Sequence, residues 1–268
     1  MDTLTAEAMR IAVNAAPVLR VVGVTAGYGD QPVLREASLE VELGEWMALL
    51  GPNGSGKSTL LYCIAAMLRP AAGEIEVCGY ALARDARIAK RLLGYGCAPE
   101  RLPGLLTGRQ CLEVYAAAKG VREIDAHVLD LMKTFALEPL LDQFVDTYSL
   151  GTRQKLAALL ALIGAPQLIV LDEAFNGLDP ASGRALKRHL RALIEARRAS
   201  VLLATHALDV VERYADRAAL LLCGRIAHIW SASELSGIRS SAGGLEEAIS
   251  GTSAAYLAAL GTSHQGRG

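Results

Sequence analysis

A glycine-rich stretch around residue 55 has the residue types and spacing of an anion-binding loop. It follows the pattern G-x-x-x-x-G-K-S, and we call it the phosphate loop. Its residues are Gly51, Pro52, Asn53, Gly54, Ser55, Gly56, Lys57, Ser58 and Thr59. Glycines let backbone N–H groups approach phosphate closely, Lys57 adds a positive charge, and the Ser58 hydroxyl suits Mg²⁺. The pattern predicts that these residues bind nucleotide; the alternative is a glycine-rich turn before an ordinary helix.

A pair of carboxylates far downstream forms a second chemical group. Residues 168–171 are apolar and are followed by Asp172 and Glu173. Ligands of α/β sheets bind beyond the carboxyl ends of buried strands, where these acids are expected to lie. Asp172 is then predicted to reach Mg²⁺, directly or through water, and Glu173 to act as the general base on the attacking water. The alternative is a strand that ends in a solvated acidic turn.

A serine and a glycine between these two groups stand at the start of an apolar helix. Ser149 and Gly151 lie in residues 148–155, and the helix is predicted to continue to residue 163. The pattern S-x-G is weak on its own, and Ser149 as the N-cap of the helix explains it equally well. Both interpretations hold together, because a capped helix N-terminus offers free N–H groups and a positive dipole end to phosphate.

Strands and helices predicted around these residues give the fold class. Residues 18–24, 38–43 and 74–77 are predicted strands that form an antiparallel sheet, and residues 46–50 are a buried strand before a helix at 59–68. Further along the chain, predicted strands alternate with predicted helices. The strands are at 168–171, 201–204 and 218–223, the last strand of the sheet, and the helices are at 181–197 and 208–214. This alternation implies a parallel sheet with crossover helices.

Residues between these two parts are helical in character. Apolar residues recur at three- and four-residue spacing in 109–119 and 125–135, after predicted loops at 94–103 and 104–107. About residues 100–150 are therefore predicted to be an all-helical insertion. The whole sequence predicts an α/β phosphate-loop fold with a mostly parallel core sheet, an antiparallel N-terminal sheet and this insertion.

The two ends of the chain are predicted to lie outside the main domain of residues 18–230. Residues 1–17 form an extension with one or two helical turns around 6–13. From residue 231 the chain is rich in Ser, Gly and Ala, and residues 250–268 are expected to be loose.

Composition excludes several classes of protein. A formal net charge of −1 over 268 residues argues against a dominant role in binding nucleic acid. The five cysteines contain no C-x-x-C pair, which favours a reducing compartment over disulfides or zinc. No segment approaches the ~18 apolar residues that span a bilayer, and the N-terminus has no signal-peptide core. The chain is expected to be cytoplasmic and to reach a membrane only through a partner.

The order of these segments resembles that of the ATP-binding cassette (ABC) ATPases. Members of that family have a phosphate loop, a helical insertion, an L-S-G-G-Q-like signature and then an apolar strand ending in Asp-Glu. Ser149 and Gly151 match the serine and second glycine of the signature, while Leu150 replaces its first glycine. The resemblance covers about residues 18–230 and implies that Ser149 and Gly151 contact ATP, with Mg²⁺ as the metal.

Three further positions match the family one by one. Tyr28 corresponds to the aromatic residue that stacks on adenine; the alternative is a tyrosine packed in a turn. Asp179, in the loop 177–180, corresponds to a residue that touches the opposite subunit, although a turn before a helix also suits Asp and Pro. His206 corresponds to the histidine that contacts the γ-phosphate and organises the water with Glu173; a histidine after a strand is otherwise structural.

One family position departs from the pattern. The family usually places a glutamine where the chain enters the insertion, and residues 94–100 contain none. Glu100 is the expected counterpart and metal ligand, whereas an alignment without gaps puts Ala98 at the position. Residues 245–249 resemble a segment found near the end of many export-type ABC ATPases, although a simple amphipathic helix explains them equally well.

The resemblance also implies partners. The phosphate loop and the signature of one chain lie too far apart to hold one ATP, so two cassettes, identical or paralogous, are expected to close head to tail. The helical insertion is expected to dock on transmembrane permease subunits at the cytoplasmic face of a membrane, most simply those of an exporter. The rivals are a soluble ABC ATPase of assembly or repair, and a GTPase or small-molecule kinase; the guanine-binding N-K-x-D motif is absent from the sequence.

Overall fold

A computed structural model describes residues 16–241 and 243–265. Two sheets carry the fold: a six-stranded sheet in the order β10-β9-β3-β8-β7-β6 and a four-stranded sheet in the order β2-β1-β4-β5. The strands are β1 Leu19–Tyr28, β2 Gln31–Val41, β3 Trp46–Leu50, β4 Ala72–Val77, β5 Tyr80–Ala81, β6 Leu93–Gly96, β7 Leu168–Asp172, β8 Ser200–Ala204, β9 Arg217–Leu222 and β10 Arg225–Trp230. The predicted helical turns at residues 6–13 fall outside the described residues.

Nine α-helices within the described ranges connect and cover these strands. They are α1 Lys57–Ile64, α2 Leu82–Leu92, α3 Gly108–Lys119, α4 Ala126–Thr134, α5 Leu150–Leu162, α6 Pro180–Glu195, α7 Leu208–Tyr214, α8 Ala232–Arg239 and α9 Gly244–Gln265. Two of them end differently from the prediction. The phosphate-loop helix α1 stops at Ile64 rather than at residue 68, and α9 is helical over residues 250–265, where a loose segment was expected.

The central sheet is parallel except at one edge. β6, β7, β8, β3 and β9 pair in parallel, and β10 pairs antiparallel with β9. β3, β7 and β8 are buried at every position, as expected for apolar strands covered by helices on both faces. Because these strands are parallel, the carboxyl ends of β3, β7 and β8 lie side by side at the same end of the sheet.

Two strands of this sheet correct the sequence prediction. β6 lies where a loop was expected at 94–103, and β10 follows the strand that was expected to be the last. β6 is difficult to recognise as a strand in the sequence because it contains Gly94. A Cβ at Gly94 would lie 1.8 Å from the carbonyl oxygen of Ala161 in α5. Glycine is required there by the close approach of a helix, and glycines normally indicate a loop.

The antiparallel sheet agrees with the prediction, with longer strands. β1 pairs with both β2 and β4, and the β1–β2 hairpin closes at Tyr28, which pairs with Gln31. Gly29 adopts φ +58°, the left-handed conformation that a tight hairpin turn needs. Tyr28 is therefore held at the tip of this hairpin.

The helical region between β6 and β7 shares the main hydrophobic core with the central sheet and is also attached by a half-buried lysine. α3 begins with a capping box formed by Thr107 and Gln110. At its other end the Lys119 ammonium donates hydrogen bonds to the carbonyl oxygens of Lys90 and Leu93, where α2 ends. Burial lowers the pKa of Lys119 to about 8. This bond fixes α3 against the C-terminus of α2.

The C-terminal helix packs on the domain near its start. Leu245 is completely buried in the main hydrophobic core, and its backbone N–H donates to Glu212 of α7. Over residues 16–241 and 243–265, none of the helices combines the length and the apolar character that crossing a bilayer requires.

Candidate nucleotide-binding and hydrolysis site

The phosphate loop connects a buried strand to a helix that begins without a side-chain cap. Gly56 is the N-cap of α1 and adopts φ +110°, and no side chain accepts from the first-turn N–H groups. Gly51 adopts φ +151°, and a Cβ there would lie 2.3 Å from the carbonyl oxygen of Leu221. The glycines are therefore sterically required, and the free N–H groups and dipole of α1 make a cradle that fits phosphate.

Lys57 lies across this cradle. Its Nζ donates to the carbonyl oxygens of Gly51 at 2.7 Å and Pro52 at 3.2 Å. Burial lowers its pKa, while the negative charges of Glu173 and Asp172 act in the opposite direction. The ammonium is thus held at the mouth of the loop, close to both carboxylates, where an anionic ligand would neutralise it.

Ser58 and Asp172 supply oxygen atoms at the same place. The Ser58 hydroxyl hydrogen-bonds the buried Asp172 carboxylate at the end of β7. Burial raises the pKa of Asp172, and the bond from Ser58 and the charge of Lys57 lower it. Among the described residues no cluster of three or more His, Cys, Asp or Glu could hold a metal ion. One carboxylate and one hydroxyl fit Mg²⁺, which typically takes its other ligands from water and phosphate.

Glu173 is held by hydrogen bonds on both sides of its carboxylate. Its Oε1 lies 3.0 Å from Nδ1 of His206, and its Oε2 accepts from Nδ2 of Asn176 at 3.2 Å. Its backbone adopts φ +50°, a left-handed conformation rare outside glycine, and its N–H donates to the carbonyl oxygen of Ala204 at 2.9 Å. Because Asp172 pairs with Ala204 in the sheet, the ends of β7 and β8 bring Glu173 and His206 together.

The start of α5 shows Ser149 as its N-cap. The Ser149 Oγ accepts from the backbone N–H of Thr152 at 3.2 Å and lies 2.8 Å from the Thr152 hydroxyl. The capping role predicted from the sequence is therefore confirmed. A Cβ at Gly151 would lie 2.7 Å from the carbonyl oxygen of Gly177, so this glycine lets α5 approach the loop before α6.

Asp179 joins this loop to α5 within the same chain. Its Oδ1 caps α6 by accepting from the N–H groups of Ala181 and Ser182, and its Oδ2 lies 2.7 Å from the Nζ of Lys155. The hydrogen bond from Lys155 holds the pKa of Asp179 well below its usual range. The turn predicted at Asp179 is confirmed, whereas its capping of α6 and its ion pair with Lys155 were not predicted.

The two remaining predicted site residues lie on the surface. Tyr28 is 54% exposed at the hairpin tip, so about half of the residue is accessible. Glu100 is exposed in a single 3₁₀ turn, Pro99–Arg101, directly after β6. The prediction missed Asn176, which lies three residues after Glu173 and could have been found from that spacing.

Comparison with known proteins identifies the family. Residues 34–176 match the ABC transporter family. The chain belongs to the ABC transporter family. Members of this family bind and hydrolyse ATP, and the predicted recognition and fold class are confirmed.

Relatives of this ABC cassette carry transporter names. A Nod factor export ATP-binding protein I of Rhizobium meliloti is 39% identical over 75% of the chain and 61% of its own length. An uncharacterized ABC transporter ATP-binding protein of Bacillus subtilis (strain 168) is 34% identical over 79% of the chain and 68% of its own length. The chain thus spans about three fifths of the length of the Nod factor relatives.

Solved structures of cassettes have the same fold. The ATP-binding subunit of an ABC transporter superposes with a TM-score of 0.78 at 32% identity, covering 88% of this chain and 99% of that one. The dimeric post-hydrolysis state of the cassette MJ0796, bound to ADP and Pi, gives a TM-score of 0.70 at 25% identity and covers 80% and 98%.

Proposed function

We propose that this ABC cassette is the ATP-hydrolysing subunit that powers a membrane transporter, working in the direction of export. The observation that carries the proposal is the hydrogen-bonded pair of Glu173 and His206, set beside Lys57 and Asp172 at the carboxyl ends of the central strands. A base, a cation and a metal-binding carboxylate in one place suit phosphoryl transfer to water.

Each side chain has one task in this chemistry. Lys57 and the free N–H groups of α1 bind the phosphates of ATP. Ser58 and Asp172 would hold Mg²⁺, which would neutralise phosphate charge. Glu173 accepts a proton from the attacking water, and the contacts from His206 and Asn176 orient its carboxylate. Tyr28 stacks on adenine, and Glu100 is retained as a candidate metal ligand.

Ser149 and Gly151 are proposed to act on ATP bound by a second cassette. The N-terminus of α5 presents N–H groups and a positive dipole end to the γ-phosphate. The second cassette is an identical copy or a paralogue. Closure of the pair completes both sites, and hydrolysis removes the contact that keeps the pair closed.

Transport by export is inferred from the relatives and from the surface of the helical insertion. The Nod factor proteins are named as export subunits, and the family is one of transporters. Leu105 is 85% exposed and Phe144 is 56% exposed, and their loops are joined by the hydrogen bond from Val145 N to Leu106 O. This apolar patch suits a contact with transmembrane permease subunits at the cytoplasmic face.

This function is tested by purifying the wild-type protein and the Lys57→Ala variant from membranes. We expect wild-type protein to co-purify with a multi-span membrane protein and to hydrolyse ATP with Mg²⁺. We expect Lys57→Ala to co-purify equally while ATP binding falls at least about 100-fold, because the phosphates lose their cation. The control is Lys187→Ala, which should bind ATP almost normally, because the Lys187 ammonium contacts the rings of Phe175 and Tyr214. Hydrolysis without any membrane partner would favour a soluble ABC ATPase instead.

A further inference from the structure

Arg101 contacts the helix that carries the metal-site serine. It ends the 3₁₀ turn Pro99–Arg101, through which the chain passes from β6 into the helical insertion. Its guanidinium carbon lies 4.4 Å from the centroid of the Tyr62 ring, a cation–π contact. Tyr62 is one helical turn after Ser58 in α1 and therefore lies on the same side of the helix.

Tyr95 extends this contact into the central sheet. Its ring meets the Tyr62 ring edge-on, with centroids 6.4 Å apart. Tyr95 pairs with Val170 in the register of β6 and β7, so it shares a sheet face with Asp172, two residues further along. The charge of Arg101 lowers the pKa of Asp172, after the larger effects of burial, Ser58 and the neighbouring charges. Arg101, Tyr62 and Tyr95 thus form a group next to the metal-binding carboxylate.

Neither of the residues considered for the position entering the insertion makes such a link. Ala98 has only a methyl group, and Glu100 carries a negative charge, which cannot make a cation–π contact. The insertion is attached elsewhere by its apolar residues in the main core and by Lys119 at the C-terminal end of α3. In the part of the chain that the structure describes, Arg101 makes the cation–π contact that joins the entrance of the insertion to α1.

We propose that Arg101 is a positioning residue for ATP hydrolysis: by stacking on Tyr62 it holds the entrance of the helical insertion against α1, so that the insertion and the metal site move together. The inference rests on the proposed function. Loss of the stack leaves the phosphate loop intact and loosens the entrance of the insertion, while the rest of the insertion stays packed on the core. The turnover number kcat therefore falls, while the KM for ATP stays nearly constant.

Steady-state kinetics of the full chain with its membrane partner test this. We expect Arg101→Ala and Tyr62→Leu each to lower kcat about fivefold, as the strength of a cation–π contact suggests, with KM changed less than twofold. Arg101→Lys and Tyr62→Phe keep a cation or a ring and should retain most of kcat. Because Arg101→Ala and Tyr62→Leu remove the same contact, the kcat of the double variant should be no lower than that of either single variant. Arg109→Ala, which breaks the exposed ion pair with Asp142, is the control.

Hydrogen exchange of the backbone amides between residues 100 and 108, Pro103 excepted, gives a readout independent of hydrolysis. We expect faster exchange there in Arg101→Ala and Tyr62→Leu than in wild type or Arg109→Ala. Unchanged exchange, or effects on kcat that multiply in the double variant, would overturn the positioning role. Wild-type protein that does not hydrolyse ATP would refute the proposed function, and the exchange rates would then decide on the stack alone.

Discussion

Glu173 combines an uncommon backbone conformation with a carboxylate fixed at both oxygens. A non-glycine residue in the left-handed region costs about 1 kcal/mol or more, and such residues cluster where the geometry of a site requires them. Here the turn directs the side chain away from β7 toward His206 and Asn176. In the proposed role of general base, a carboxylate oriented in this way needs less rearrangement before it accepts a proton from water.

Residues of this site differ in how far sequence reveals them. Sequence reveals the phosphate loop and the pair Asp172 and Glu173, because each is a short continuous segment with a fixed spacing of residues. Arg101 and Tyr62 are separated by three strands and a helix, so only the packed structure brings them together. Contacts of that kind leave no local pattern in a single sequence.

His189 is expected to make stability depend on pH. Its ring stacks on His127 at 5.1 Å, and burial, with a smaller effect of His127, lowers its pKa to about 4. Between pH 6.5 and 4 the unfolded chain binds the proton more readily, so the free energy of unfolding falls with acidification across this window. We expect on the order of 1 kcal/mol less stability at pH 5 than at pH 7.5, discounted for partial solvent exposure.

Urea unfolding at these two pH values measures the effect. His189→Gln should lose most of the pH-dependent difference, while His228→Gln, on the half-exposed strand β10, should keep it. A His189→Gln variant with the full wild-type pH dependence would refute this assignment.

At the scale of elements, the N-termini of α5 and α6 form one unit. Gly151 allows the close approach, and the ion pair of Lys155 and Asp179 joins the two helices. The sequence predicted both helices and the Ser149 cap of α5, because capping is local. It did not predict the ion pair or the strands β6 and β10, which depend on how elements pack.

The ion pair of Lys155 and Asp179 is expected to matter for turnover. Lys155→Met and Asp179→Asn should each lower kcat about threefold or more, because α5 loses its ion pair with the loop that follows Glu173. The double variant should resemble the single ones if the pair acts as a unit. Measurement of kcat in this double-mutant cycle checks the coupling, and strictly multiplicative effects would contradict it.

At the scale of the whole molecule, one cassette presents two different surfaces to which we assign functions. The carboxyl ends of β3, β7 and β8 present the nucleotide site, and the helical insertion presents the apolar patch of Leu105 and Phe144. α3 and its Lys119 bond connect the insertion to the core. The sequence predicted the insertion from its periodicity, but which of its apolar residues stay exposed followed only from the fold.

Removal of the patch is expected to detach the cassette from its membrane partner. Leu105→Glu combined with Phe144→Glu should reduce co-purification at least about tenfold, because charges replace two apolar contacts. ATP binding should stay at the wild-type level. Leu257→Glu, on an exposed apolar residue of α9, is the matched control. Co-purification that survives the double change would place the docking surface elsewhere.

The hydrolysis rate of Glu173→Gln at saturating Mg²⁺ and ATP tests the central claim most directly. Glutamine keeps the size of the side chain but cannot accept the proton from water. We predict that hydrolysis falls at least about 100-fold while ATP still binds with wild-type affinity, so that the closed pair of cassettes accumulates. Hydrolysis within a few-fold of the wild-type rate would contradict the role of Glu173 as the base.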